Sequence, residues 1–122
     1  MSETKKAVVV QPNGSAEVIE FTSDTALATL QKAVDGYIEP VNLDDEFVMW
    51  VNEEGLLRQD LVSNFLGATL YQEVFQIPNP INGTIVFTGG VDEEGYTQGL
   101  TTSQVFAALS MADVAYKASH QE

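Results

Sequence analysis

Ala7-Val8-Val9-Val10-Gln11-Pro12-Asn13-Gly14-Ser15-Ala16-Glu17-Val18-Ile19-Glu20-Phe21 decides the fold class. Two short strand-like runs flank Asn13-Gly14. That dipeptide suits the positive φ values of a type I′ turn, so an antiparallel β-hairpin is expected. In its second strand Glu17, Ile19 and Phe21 alternate with Ala16, Val18 and Glu20, the pattern of a half-solvated strand. A parallel sheet needs long crossovers between its strands, whereas a tight hairpin pairs them at once. The opening therefore points to α+β.

Outward from the hairpin, residues 24 to 35 read as a helix. Ser23 or Asp24 offers a cap, Leu27, Leu30 and Val34 recur at helical spacing, and Gly36 stands where a left-handed cap belongs. Tyr37 to Leu43 and Phe47 to Asn52 are extended runs split by Asp44-Asp45-Glu46. Pro40 has no N–H for a ladder, which predicts an edge or bulged strand. Phe47-Val48-Met49-Trp50-Val51 suits a strand covered on both faces. A second helix is expected from about Asp60 to Leu70, with Leu61, Phe65 and Leu66 on one stripe. Pro78-Asn79-Pro80 breaks regular structure, Ile81 to Thr88 forms a strand, and Gly89-Gly90 ends it. A last amphipathic helix starts near Ser103, capped from Thr101 to Ser103, with Val105, Phe106, Leu109, Ala112 and Tyr116 as its apolar face. The whole predicts one α+β domain over residues 1–122, an antiparallel sheet of about four to six strands packed by two or three helices. Its parts are a core at 6–89, a C-terminal helix at 101–118, and flexible ends at 1–5 and 119–122.

Composition removes several chemistries. The 122 residues are 44% hydrophobic, enough for one packed core. Eighteen acidic residues face five basic ones, a formal charge of −13. That balance opposes both nucleic-acid phosphates and anionic lipid. With no cysteine in the sequence, disulfides, thiolate nucleophiles and Cys-based zinc sites are excluded. His120 is the one histidine and lies close to the C-terminus. No apolar run approaches the roughly 20 residues of a membrane span, and Met1 to Val10 has no signal core. A soluble, cytoplasmic protein is expected.

The loops Val51-Asn52-Glu53-Glu54-Gly55 and Val91-Asp92-Glu93-Glu94-Gly95 share a pattern. One reading is a degenerate repeat whose carboxylates hold Mg²⁺ or Ca²⁺ in a hydrolase. The other is a solvated turn with Gly at the tight position, and the missing spacing of a calcium loop favours it. Glu39, between Ile38 and Pro40, is the best single candidate for a carboxyl with a raised pKa. Strand alternation puts it on the solvent face instead. No nucleophile elbow and no phosphate-binding glycine loop occurs. No catalytic residue, metal or cofactor is assigned, and a non-enzymatic protein is expected. Trp50, Met49 and Phe47 read as core, while Tyr37 and Tyr96, each beside a glycine, read as partly exposed.

Charge gives the positive lead. Asp44, Asp45, Glu46, Glu53, Glu54, Asp92, Glu93 and Glu94 fall in turns. Besides keeping the chain dispersed, such tips steer a protein toward a basic partner surface. With Tyr37 they form the candidate partner-binding set. The alternative is a small-molecule or nucleotide-derivative pocket built from Tyr37, Trp50, Asn52 and Asn64, polar amides among apolar walls, in which Asn52 and Asn64 are singled out only by their match to a family pattern.

Several segments occur in a characteristic order. They are Leu30-Gln31-Lys32-Ala33-Val34-Asp35-Gly36-Tyr37-Ile38-Glu39, the turn Asn52-Glu53-Glu54-Gly55, Asn64 with Ala68-Thr69, and Ile81-Asn82-Gly83-Thr84-Ile85-Val86-Phe87. Together, over roughly residues 6 to 89, they resemble a family of small domains of unknown function found in bacteriophages, mobile elements and some bacteria. The family form reads Val-Gly-Gly-Tyr where this chain has Val34-Asp35-Gly36-Tyr37, so Asp35 is the position where a helix cap departs from it. The resemblance implies an accessory role inside a bacterial host cell and carries over no catalytic residue. The resulting expectation is an acidic accessory protein that binds and modulates a host protein with a basic surface. The few charges on the C-terminal helix point to a homodimer through it.

Overall fold

The computed structural model describes residues 3–120. The opening hairpin forms as β1 (Lys5–Val10) and β2 (Ala16–Phe21), with Val8 opposite Val18 and Val10 opposite Ala16. Its turn is not type I′. Gly14 N donates to Gln11 O at 2.9 Å, Gln11 N donates to Ser15 O, and Gly14 takes φ +93° while Asn13 stays at negative φ. Pro12 is the reason. Its ring fixes a negative φ at the first central position, which favours a three-residue loop whose last residue alone is left-handed.

The strands α1 (Ala26–Val34) connects are β2 and β3 (Ile38–Asp44), and β4 (Phe47–Asn52) follows after a tight turn. β3 is an edge strand carrying Pro40, with a bulge between Asn42 and Asp44, as Pro40 foretold. Helix α2 (Phe65–Phe75) precedes β5 (Ile85–Thr88), and α3 (Thr102–Ser119) closes the chain. The sheet order is β2-β1-β5-β4-β3, and every pairing is antiparallel. The α+β class, the five-stranded sheet and the C-terminal helix agree with the expectation.

Strand alternation feeds two cores, one on each face of the sheet. Ala7, Val9, Val48, Trp50 and Val86 meet Leu30 and Val34 of α1. Val8, Val10, Met49, Val51, Ile85 and Phe87 meet Leu66 of α2 and the alanines Ala108 and Ala112 of α3. Phe47 stacks on Phe87 with ring centroids 5.0 Å apart, a contact worth about 0.5–1.5 kcal/mol beyond area burial.

α1 starts at Ala26 with Thr25, and not Ser23 or Asp24, at its N-cap, and α2, β5 and α3 depart from the sequence reading as well. α2 begins at Phe65 rather than Asp60, because the stretch before it pairs elsewhere. Asn64 N donates to Ile81 O at 2.7 Å and Gly83 N to Val62 O at 2.8 Å, so residues 62–64 pair across to 81–83 and are not helical. Those same bonds take Ile81 to Gly83 out of the last strand, which starts at Ile85. On α3 the capping box at Thr101 and Gln104 forms. The buried stripe, however, is Ala108 and Ala112 with Val105, Leu109, Met111 and Ala115 beside them, and Phe106 is exposed. Alanines at i and i+4 let the helix lie close to the sheet and turn Phe106 outward. The expected flexible ends fall partly on Met1, Ser2, Gln121 and Glu122, outside the described residues. Of the remainder, Lys5 already belongs to β1 and Ser119 to α3.

Asp35 is the left-handed cap of α1, with φ 60° and ψ 51°, and Gly36 N donates back to Gln31 O at 3.1 Å. The left-handed residue is thus Asp35, one before the glycine expected to hold it. An alanine in this conformation costs roughly 1–2 kcal/mol where glycine costs almost nothing. Asp35→Ala is therefore expected to unfold at least about 1 kcal/mol more easily than Asp35→Gly in urea titration. Asn64 is only 1% exposed and closes three bonds: Oδ1 accepts from Gly67 N at 3.1 Å, and Nδ2 donates to Gly83 O at 2.9 Å and Val10 O at 3.2 Å. Asn64→Ala removes a helix cap and leaves two buried carbonyls short of a donor. We expect a loss of about 3 kcal/mol, read as a melting-temperature drop of roughly 10 °C.

Candidate functional site

The four residues of the alternative pocket do not come together. Trp50, 9% exposed, faces α1, and its indole N–H donates to Thr88 Oγ1 at 2.8 Å. Asn64 caps α2, which packs on the opposite face. Asn52 is buried at the end of β4. Its Nδ2 donates to Val34 O at 3.0 Å and Asp35 O at 3.3 Å, and its Oδ1 accepts from Glu54 N at 2.8 Å. Both amides are thus occupied with holding backbone, one at the C-terminus of α1 and one at the N-terminus of α2. Tyr37, 64% exposed, stands just ahead of β3 with its carbonyl accepting from Glu53 N.

The acidic turns divide between the two ends of the sheet. β3 and β4 place Ile38 opposite Asn52 at one end and Asp44 opposite Phe47 at the other, which separates Glu53-Glu54 from Asp44-Asp45-Glu46. The third acidic loop joins the second. Gly90 packs so closely on Asp45 that an added Cβ would collide with the Asp45 carbonyl. Asp45, Glu46, Gly90, Val91, Gln98 and Gln104 line one open depression of about 430 Å³. Gln104, from the first turn of α3, donates to Glu46 O at 2.9 Å and ties the helix to this end.

The two look-alike loops share their first bonds. Asn52 Oδ1 accepts from Glu54 N and Asp92 Oδ1 from Glu94 N, while Gly55 N and Gly95 N donate to the carbonyls of Asn52 and Asp92. An Asx turn explains the common spelling without a ligand. After it the paths diverge, since Gly95 takes φ +90° and folds back through the Val91–Thr97 bridge. Asp44 and Asp92 therefore shape turns, Asp92 also accepting from Tyr96 N and Gln98 Nε2. Among the described residues no group of three or more His, Cys, Asp or Glu side chains could hold a metal ion.

The ion pairs form on other carboxylates. Lys6 pairs with Glu20, Lys117 with Asp113, and Arg58 bridges Asp35 and Asp60. Lys5 Nζ donates to Ser23 Oγ and Thr97 O. Among the described residues, no ion pair reaches any of the eight turn carboxylates. Hydrogen bonds to Asp60 and then Asp35 push the Arg58 guanidinium further above its ordinary value, and the bond from Arg58 holds the Asp60 carboxyl below the usual aspartate range.

Tyr71, Asn79 and Asn82, which the sequence reading gave no site role, join Glu39, Asn52 and Glu53 around a second, narrower cleft at the Glu53 end, between the β3 edge, the turn after β4 and the segment Asn79–Asn82. Tyr71 of α2 closes one wall, and Glu39 stands on the rim. The signal available was the alternation that puts Glu39 on the same face of β3 as Val41. The contribution of Asn79 to Asn82 depends on long-range pairing with residues 62–64.

A carboxyl held below its unfolded pKa contributes stability at neutral pH and loses it as pH falls through the folded value. Asp60→Asn should therefore melt below the parent at about pH 7, and the gap should be smaller at about pH 3, where protonation of Asp60 has begun to remove the advantage. Thermal melts at the two pH values check it.

Comparison with curated proteins and with solved structures finds no match. A scan of protein families matches residues 5–113 to one described as a domain of unknown function, DUF3846. The matched span runs past residue 89 and takes in most of α3, so the C-terminal helix is part of the shared domain. With most of its length matched, the chain belongs to the DUF3846 family of domains of unknown function.

Proposed function

We propose that this chain is a non-enzymatic accessory protein of the phage or mobile-element type, which docks on a basic surface of a host protein in the bacterial cytoplasm and modulates it. The observation that supports this reading is the pairing pattern. A chain of charge −13 commits Lys6, Arg58 and Lys117 to Glu20, Asp35, Asp60 and Asp113, and leaves the turn carboxylates without counter-ions. Two of the three acidic turns meet at one end, where Asp45 and Glu46 lie beside Gly90 and Val91, the residues that lead into Asp92-Glu93-Glu94. Unpaired charge on loops held by a rigid sheet raises association rates with an oppositely charged surface, and salt weakens the effect. The same charges repel nucleic-acid phosphates.

Homodimerisation through α3 belongs to this proposal. Phe106 and Val114 stand exposed on its outer side, where a second copy would remove them from water. No helix is long and apolar enough to cross a membrane among the described residues.

The test is capture from a bacterial lysate at low and high salt, with the parent chain and with a quadruple variant carrying Asp45→Asn, Glu46→Gln, Glu93→Gln and Glu94→Gln. A basic protein retained by the parent at low salt, released at high salt and lost from the variant is the expected result. Equal capture by parent and variant, or capture indifferent to salt, overturns the reading.

A further inference from the structure

The narrow cleft at the Glu53 end combines apolar, amide and acidic side chains. Its floor is Val41 and Val51, neighbouring buried residues of β3 and β4, and Tyr71 of α2 forms a wall. Glu39 rises from the strand edge and Glu53 from the following turn. Neither carboxylate joins an ion pair among the described residues, and no Lys, Arg or His lines the cleft. The turn that closes it runs through Gly55. A Cβ there would sit 3.1 Å from Asn82 O and 3.2 Å from Asn52 O, tighter than ordinary contact, so a side chain would have to push the turn a few tenths of an ångström off Asn82. Asn82 Nδ2 fastens the same contact by donating to Gly55 O at 3.3 Å.

Volume limits what fits. The cleft holds about 130 Å³, well under the roughly 300–1,000 Å³ of pockets for drug-sized ligands. A nucleotide is too large, and the two carboxylates repel any anion. An apolar floor beneath a negative rim matches a group that is aliphatic along its stem and cationic at its head. An aromatic wall adds attraction for a flat cation, and a carboxylate offers a guanidinium two parallel bonds. We infer that this cleft is a binding site for one guanidinium or ammonium head on a short aliphatic stem. The head lies between Glu39 and Glu53, and the stem runs over Val41 and Val51 beside Tyr71. Such a group comes either from an arginine or lysine side chain of a polypeptide or from a small free amine or guanidine. The site shares no residue with the acidic turns that hold Asp45, Glu46, Asp92, Glu93 and Glu94, so either can fail alone.

The experiment is an amide-resolved NMR titration of the full chain with n-butylguanidinium, its neutral isostere n-butylurea, and the tripeptide Gly-Arg-Gly. Saturable shifts at Asn52, Gly55 and Asn82 with n-butylguanidinium, in the millimolar range and absent with n-butylurea, are expected. Glu39→Gln and Glu53→Gln should each weaken binding about threefold and together about tenfold, with the rest of the spectrum unchanged as evidence of an intact fold. Binding by the tripeptide at least as tight as by n-butylguanidinium assigns the site to a polypeptide partner. Binding by n-butylguanidinium with none by the tripeptide assigns it to a free small cation. Shifts that never saturate and spread equally over the Asp44–Glu46 and Asp92–Glu94 turns overturn the inference. So does binding of n-butylurea with equal affinity, or affinity unmoved by both glutamine substitutions.

Discussion

Everything in this fold hangs on four residues in the middle of the sheet. Ile85, Val86, Phe87 and Thr88 are fully buried, and β5 is hydrogen-bonded to β1 on one side and β4 on the other. Each neighbour belongs to a hairpin of its own, β1 with β2 and β4 with β3. An isolated two-stranded hairpin is marginal in water, and β5 joins the two hairpins into one five-stranded sheet. Because β5 alternates, its insertion completes both hydrophobic layers together: Val86 toward α1, Ile85 and Phe87 toward α2 and α3. Thr88 supplies the polar exception, accepting the Trp50 indole proton in a buried bond, as a buried donor requires.

That central position explains why two acidic turns distant in sequence become neighbours. β5 runs antiparallel to β4 and ends beside its start, with Thr88 opposite Val48. The chain leaving Thr88 therefore emerges next to the β3–β4 turn. Gly89 and Gly90 permit the crossing, since side chains there would strike the backbone of Gln98, Gly99 and Asp45. Geometry imposed by the sheet, and not any bond between the loops' acids, brings the carboxylates to one end. Like charges so gathered oppose each other, a cost the buried cores on both faces of the sheet outweigh.

How much of this was legible in the sequence follows from range. The hairpin, the edge character announced by Pro40, the doubly covered strand Phe47–Asn52 and the capped terminal helix all rest on neighbours within a few residues, and all formed. Pro12 was legible too: its fixed φ rules out the mirror-image turn that Asn13-Gly14 suggests when read alone. The helix register at Phe65 was not, because Leu61 and Val62 continue the helical spacing and only pairing with Ile81 and Gly83 prevents it. Asn52 and Asn64 stood out in the sequence for a physical cause, but that cause is backbone anchoring. Tyr71, Asn79 and Asn82 carried no local signal, since their meeting with Glu39 depends on a loop folded across the β3 edge.

The two outer strands of the sheet leave the molecule unequally protected against its own kind. β3 is interrupted by Pro40 and a bulge, which spoil it as a template for another strand. β2 is a regular six-residue strand with neither device, and carries Glu17 and Glu20 on opposite faces. Any second β2 laid along it meets Glu17 on one face and the Lys6-paired Glu20 on the other, so charge and not backbone geometry guards this edge. Repulsion of that kind fades as added electrolyte shortens its reach to a few ångströms. Concentrated brine thus weakens the guard on one border of the sheet and leaves the other, built into the backbone at Pro40 and the bulge, untouched.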